Sequence, residues 1–105
     1  MKIISISEDG IFFDNGKHIT YDHYQDCCEY NYADFEQLDD LARAYDFDED
    51  LIFEEVEGCG FRFGDKRRMF FVPCYSEQNG YYSFDVDIYY NGKRVLTAYG
   101  EWRDY

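Results

Sequence analysis

The residue types best suited to chemistry fall in one short stretch, Tyr21–Tyr32, which reads Tyr-Asp-His-Tyr-Gln-Asp-Cys-Cys-Glu-Tyr-Asn-Tyr. It holds the only adjacent cysteines of the chain and one of its two histidines. His23 and Cys27 are four residues apart, so they can meet on one face of either a strand or a helix. Because an imidazole can hold a neighbouring cysteine as the thiolate, this spacing makes Cys27 a candidate nucleophile and His23 a candidate base.

Other residues of the stretch can complete such a site. Gln25 or a backbone amide can stabilise an oxyanion, and Asp22 or Glu29 can orient the imidazole. A metal site is a second interpretation, although adjacent cysteines do not easily reach one tetrahedral ion and no Cys-x-x-Cys spacing is present. The third interpretation is structural, with small buried cysteines and a hydrogen-bonded histidine. The sequence leaves all three open.

Two segments resemble a known family. The stretch His23–Glu29, His-Tyr-Gln-Asp-Cys-Cys-Glu, resembles the His-x-Gln-Asp-Cys-Cys-Glu core of small bacterial and bacteriophage proteins that form a domain of unknown function. The stretch Pro73–Tyr82, Pro-Cys-Tyr-Ser-Glu-Gln-Asn-Gly-Tyr-Tyr, is similar to the C-terminal half of that family. The resemblance implies a self-standing domain from a bacterium or its mobile elements, and it implies no particular activity.

The elements that must position these residues are mostly short strands. Asn15-Gly16 and Asn91-Gly92 are typical two-residue hairpin turns, and the second pairs Tyr90 with Lys93. That register places Ile88 opposite Val95, Phe84 opposite Tyr99 and Tyr89 beside Arg94, a cation–π geometry. The pattern of β-branched and aromatic residues predicts strands at Lys2–Ser7, Ile11–Asp14, Lys17–Asp22, Leu51–Glu57, Phe61–Phe63, Arg68–Ser76, Tyr81–Tyr90 and Lys93–Glu101.

One helix is predicted, at Asp34–Tyr45. Phe35, Leu38, Ala42 and Tyr45 recur at helical spacing, and Leu41 widens the apolar stripe that must dock on the sheet. A chain of 105 residues is a single domain, 1–105. The predicted fold class is therefore α+β: a mainly antiparallel sheet of about six to eight short strands with one helix around 34–45, followed by a frayed tail in which Trp102 folds back.

The charge of the chain is concentrated. The net charge is −13, and residues 34–57 contain eleven acidic residues against one base, Arg43. We expect Asp39, Asp40, Asp46, Asp48 and Asp50 to form a binding surface for a protein partner with a basic surface, aided by neighbouring exposed tyrosines among the 12 in the chain. Direct nucleic-acid binding is disfavoured, because phosphate contacts need a basic surface.

Part of this acidic segment also resembles a calcium loop. Asp46, Asp48, Asp50 and Glu57 fall at positions 1, 3, 5 and 12 of an EF-hand-like loop, although Leu51 stands where that loop needs glycine. No long apolar run predicts a membrane span, and free thiols without a secretion signal favour the cytoplasm. The sequence thus favours a non-enzymatic interaction protein with no cofactor. The alternative is a thiol-dependent enzyme or a metal-binding protein that uses His23 and Cys27.

Overall fold

The computed structural model describes residues 1–23, 29–80 and 82–104. Within them the chain forms ten strands in two sheets. The strands are β1 (Ile3–Ser7), β2 (Gly10–Phe13), β3 (His18–Asp22), β4 (Tyr30–Ala33), β5 (Ile52–Val56), β6 (Gly60–Gly64), β7 (Met69–Gln78), β8 (Asp85–Tyr90), β9 (Lys93–Tyr99) and β10 (Glu101–Asp104).

The first sheet has the order β1-β2-β3-β8-β9 and is antiparallel throughout. The second has the order β10-β7-β6-β5, and β4 also pairs with β7, off this path. All of its pairs are antiparallel except β10 with β7, which run parallel. The long strand β7 therefore organises the second sheet, since three other strands pair with it.

The predicted α+β class is wrong, because the segment 34–45 is not an α-helix. It forms two short 3₁₀ turns, Phe35–Gln37 and Asp40–Ala44, separated by Leu38 and Asp39 in an extended conformation. The carboxylate of Asp39 accepts a hydrogen bond from the Leu41 amide at 3.0 Å, and this local bond competes with a continuing helix. Phe35, Leu38 and Ala42 are buried as predicted, but Leu41 is 58% exposed.

The C-terminal hairpin confirms one part of the predicted register and corrects another. Asn91 (φ 53°) and Gly92 (φ 83°) both have positive φ, as this tight turn requires, and Tyr90 pairs with Lys93. A bulge between Ile88 and Tyr89 then shifts the ladder, so that Ile88 faces Leu96 and not Val95, and Tyr99 faces Asp85 and not Phe84. Tyr89 faces Arg94 as predicted, but the guanidinium lies 4.0 Å from the Asp87 carboxylate.

The predicted frayed tail is also wrong, because residues 101–104 form β10 along β7. Trp102 does fold back, and its indole N–H donates to the Gln78 carbonyl at 3.0 Å.

The core lies between the sheets and is rich in phenylalanine. Phe70, Val72 and Cys74 alternate along β7 and are buried. The ring of Phe47, only 2% exposed, packs against four other aromatic rings with centroids 4.6–5.8 Å apart: Phe13, Tyr45, Phe63 and Phe70. Phe47 thus ties the acidic segment to both sheets. Among the described residues, no helical segment has the length and apolar character needed to cross a membrane.

Candidate functional site

The acidic residues predicted to bind a partner are all on the surface. Asp39 and Asp40 lie at the second 3₁₀ turn, whereas Asp46, Asp48 and Asp50 belong to residues 46–50, which we call the acidic loop. All five are exposed. Asp40 lies 3.9 Å from the Arg43 side chain and Asp48 lies 3.9 Å from that of Arg67. Such exposed pairs at this distance leave most of the negative charge effective.

Hydrogen bonds to the carboxylate of Asp65 hold the acidic loop in place. Asp65 follows β6 and is 3% exposed. Its carboxylate accepts hydrogen bonds from the Tyr45 hydroxyl at 2.7 Å and from the Asp48 amide at 3.3 Å. It also accepts from the backbone amides of Arg67 and Arg68 at 2.9 and 3.2 Å and from the Arg67 guanidinium at 3.1 Å. Burial by itself raises the pKa of Asp65, but these hydrogen bonds outweigh it and hold the pKa well below the ordinary value.

Further contacts fix the loop backbone. The Arg67 guanidinium donates to the Asp46 carbonyl at 2.7 Å, and its central carbon lies over the Tyr45 ring, 5.2 Å from the centroid. The Tyr90 hydroxyl donates to the Glu49 carbonyl at 2.8 Å. Burial, together with the Glu49 and Asp50 charges, raises the pKa of Tyr90 to about 12, so this hydroxyl remains a donor at neutral pH. Residues from distant parts of the chain therefore hold the acidic loop in one shape.

A cavity of about 700 Å³ opens beside the acidic loop. Its walls combine carboxylates with two apolar side chains and one base: Asp48, Glu49, Asp50, Leu51, Ile52, Asp65 and Lys66. Ile52 is 37% exposed. The cavity thus offers both negative charge and apolar contact area.

The tyrosines do not take the predicted place beside the acidic residues. Tyr45 and Tyr90, which contact the loop, are only partly exposed, and their hydroxyl groups donate to Asp65 and to the Glu49 carbonyl. Tyr30 and Tyr99 are exposed, but they belong to β4 and β9. The exposed apolar side chains within the acidic segment are instead Leu41 and Ile52.

The calcium ligands predicted from sequence are spread along the chain. Asp46 pairs with the Met1 amino group at 2.9 Å, and Asp48 and Asp50 line the cavity. Glu57 lies beyond β5, whose five residues at about 3.3 Å each separate it from Asp50 by roughly 16 Å. Within residues 1–23, 29–80 and 82–104, no group of three or more His, Cys, Asp or Glu side chains is arranged to hold a metal ion.

His23 lies just after β3 with its side chain only 5% exposed, between two carboxylates. Its Nε2 is 3.0 Å from Glu29 Oε1, so Glu29 takes the orienting position that the sequence offered to Asp22 or Glu29. Its Nδ1 is 3.6 Å from Oδ2 of Asp85, at the start of β8. No sequence pattern pointed to Asp85, because β3 and β8 are more than sixty residues apart in sequence and meet only through sheet pairing. The candidate nucleophile Cys27 and the candidate oxyanion donor Gln25 lie outside the described residues.

A buried polar network holds Asp85 in this position. Asn31 donates to the carbonyls of Ser83 and Asp85 at 2.9 and 3.1 Å and accepts from the Ser76 hydroxyl at 2.5 Å. Gln78 donates to Ser76 and to the Ser83 carbonyl at 2.6 and 3.0 Å. Asn31, Ser76 and Gln78 are fully buried, which is costly unless every polar atom finds a partner. The network therefore fixes residues 83–85 next to His23.

Two of the four cysteines are described, and both are free. Cys74 is buried in β7, and burial raises the pKa of its thiol to about 12, which makes it a poor nucleophile. Cys59 is exposed in the turn before β6. Neither cysteine contributes to the His23 site.

Comparison with known proteins identifies no relative: no protein-family model, no curated protein and no solved structure matches the chain.

Proposed function

We propose that this protein is a non-enzymatic interaction protein that binds a basic surface of a protein partner through its acidic loop together with Asp39 and Asp40 of the second 3₁₀ turn. The observation that carries the proposal is the buried carboxylate of Asp65, which accepts five hydrogen bonds and thereby holds the loop backbone. A charge run that only keeps a protein soluble needs no such support. A loop held in its binding shape loses less conformational entropy when a partner docks.

The surroundings of the loop suit a protein partner. Localised negative charge speeds and orients the encounter with a basic surface. Leu41 and Ile52, both exposed within the acidic segment, supply apolar area that a partner can desolvate, and the cavity beside Ile52 can receive a side chain. The same charge disfavours direct binding to nucleic acid. We place this function in the cytoplasm, because a reducing compartment keeps thiols such as Cys59 and Cys74 free.

The test is affinity capture from bacterial lysate with the full chain, followed by purification of the captured partner. We compare the wild type with a variant that carries Asp39→Asn, Asp40→Asn, Asp48→Asn and Asp50→Asn. At about 0.5 kcal/mol for each lost charge contact, binding at low salt weakens about 30-fold.

The matched control removes four exposed charges outside the acidic segment, at Glu8→Gln, Asp9→Asn, Asp14→Asn and Glu101→Gln. It changes the net charge equally and leaves binding within about twofold of wild type. Equal losses in the two variants contradict the proposal, because net charge and not the acidic loop then decides binding.

A second function, thiol chemistry at Cys27, is favoured by the 3.0 Å contact that orients His23 through Glu29. We expect iodoacetamide to alkylate Cys27 of the folded protein at neutral pH at least tenfold faster than exposed Cys59, as read by peptide mass spectrometry. His23→Gln removes this advantage, and His18→Gln, at the other histidine, does not. Equal alkylation rates at Cys27 and Cys59 rule this function out.

A further inference from the structure

The buried imidazole of His23 has an arrangement that binding through the acidic loop does not use. Its Nε2 contacts Glu29, whereas its Nδ1 has no hydrogen-bond partner anywhere in the part of the chain that the structure describes. Nδ1 lies 3.6 Å from Asp85 Oδ2. Burying a polar atom without a hydrogen-bond partner is costly, so the unpartnered Nδ1 requires an explanation.

The contact with Glu29 determines whether Nδ1 faces Asp85 as a hydrogen-bond donor or as an acceptor. In the tautomer whose Nε2–H donates to the Glu29 carboxylate, Nδ1 presents its lone pair. Two acceptors, Nδ1 and Asp85 Oδ2, then face each other with no donor between them. At 3.6 Å the two atoms are also farther apart than the roughly 2.7–3.2 Å of a hydrogen bond.

The spacing of the two acceptors matches that of two ligands on one metal ion. Nitrogen and oxygen ligands about 2.0–2.1 Å from zinc, at a tetrahedral angle, are about 3.3 Å apart. The observed 3.6 Å differs from this by a few tenths of an ångström, which a small rotation of the Asp85 carboxylate removes.

The groups that hydrogen-bond to His23 and Asp85 also match those found around metal ligands. A metal-binding histidine commonly donates its other ring N–H to a carboxylate, which here is Glu29. A metal-binding carboxylate is commonly hydrogen-bonded in turn, and the Ser83 hydroxyl donates to the other oxygen of Asp85. The buried network of Asn31 and Gln78 fixes the backbone that carries Ser83 and Asp85.

We infer that His23 Nδ1 and Asp85 Oδ2 are two ligands of a divalent transition-metal site. Imidazole and carboxylate together suit Zn²⁺, and water completes the coordination. The site is separate from the acidic loop and does not depend on the function proposed for it. With two protein ligands it binds zinc reversibly and more weakly than a closed structural site.

The test measures zinc binding to the full chain after chelator treatment, by competition with a chromophoric zinc indicator. We expect one zinc per chain, and at least tenfold weaker binding in His23→Gln and in Asp85→Asn. Glu29→Gln, which changes the group behind His23, weakens binding about tenfold. His18→Gln and Asp87→Asn are the matched controls, since each removes the same group from a neighbouring position, and both keep wild-type affinity.

A second measurement covers the case in which a variant fails to fold. Imidazole ¹⁵N NMR of the wild-type protein reports each histidine separately, and zinc shifts the Nδ1 resonance of His23 while that of His18 stays in place. Failure of wild-type protein to bind zinc below millimolar concentration overturns the proposal. So does zinc binding that persists in both His23→Gln and Asp85→Asn, because the metal is then an adventitious ion only.

Discussion

Replacing Asp65 by alanine is expected to lower the free energy of unfolding by about 3 kcal/mol, because several buried donors lose their acceptor at once. These donors include the Tyr45 hydroxyl and the amides of Asp48 and Arg67. For a small domain this is a large part of the total stability. Urea unfolding followed by circular dichroism measures the loss.

The Asp65→Asn variant tests whether the charge itself matters. Because the folded protein holds the pKa of Asp65 below its ordinary value of about 3.9, the charge stabilises the fold at neutral pH and this stabilisation is lost on acidification. The difference in unfolding free energy between wild type and Asp65→Asn is therefore largest at pH 7 and shrinks below about pH 4. A difference that stays constant from pH 7 to pH 3 contradicts this role.

Replacing Phe47 by alanine is expected to cost about 3–5 kcal/mol, the usual loss for a buried phenylalanine. The ring lies among Phe13, Tyr45, Phe63 and Phe70, so its removal leaves a cavity between the sheets. Because Phe47 is also a residue of the acidic loop, the loop loses its apolar anchor. Thermal and urea unfolding measure the effect.

Phe71→Ala is the matched control for Phe47, since it removes the same ring from a position that is 43% exposed. We expect a loss of less than about 1 kcal/mol, because an exposed ring gains little from folding. Comparable losses at the two positions show that Phe47 does not have the central place in the core described above.

Eight of the ten described strands could be predicted from the sequence because their signals are local, whereas β4 and β10 were not predicted. Asn91-Gly92 needs positive φ at both residues, so the hairpin and its first pair, Tyr90 with Lys93, follow from the turn alone. The later pairs could not be predicted, since the Asn91-Gly92 turn does not specify the bulge between Ile88 and Tyr89.

The helix prediction failed because apolar spacing alone does not decide the backbone. Phe35, Leu38 and Ala42 are buried at the predicted positions, yet two 3₁₀ turns with an extended break bury them equally well. Adjacent acidic residues, Asp39 and Asp40, favour local side-chain bonds over a continuous helix. A short isolated helix has little stability of its own to resist this.

Only some residues of the candidate sites could be predicted from the sequence. The acidic surface follows from charge density, and the sequence named Glu29 as one of two candidate partners of His23, the other being Asp22. No sequence motif marks Asp65 or Asp85. Only the tertiary structure brings Asp65 to Tyr45 and Asp85 to His23. The resemblance of His23–Glu29 and Pro73–Tyr82 to a small bacterial and bacteriophage family stays a prediction.

The most direct test of the proposed function is the affinity of the purified partner at increasing salt concentration. We expect wild-type affinity to fall steeply with salt, and the variant neutralised at Asp39, Asp40, Asp48 and Asp50 to bind weakly with a shallow salt dependence. The two curves converge at high salt, while the control variant neutralised at Glu8, Asp9, Asp14 and Glu101 follows the wild type. Parallel curves for wild type and the variant neutralised at Asp39, Asp40, Asp48 and Asp50, with binding abolished instead by Cys27→Ser, contradict the proposed function.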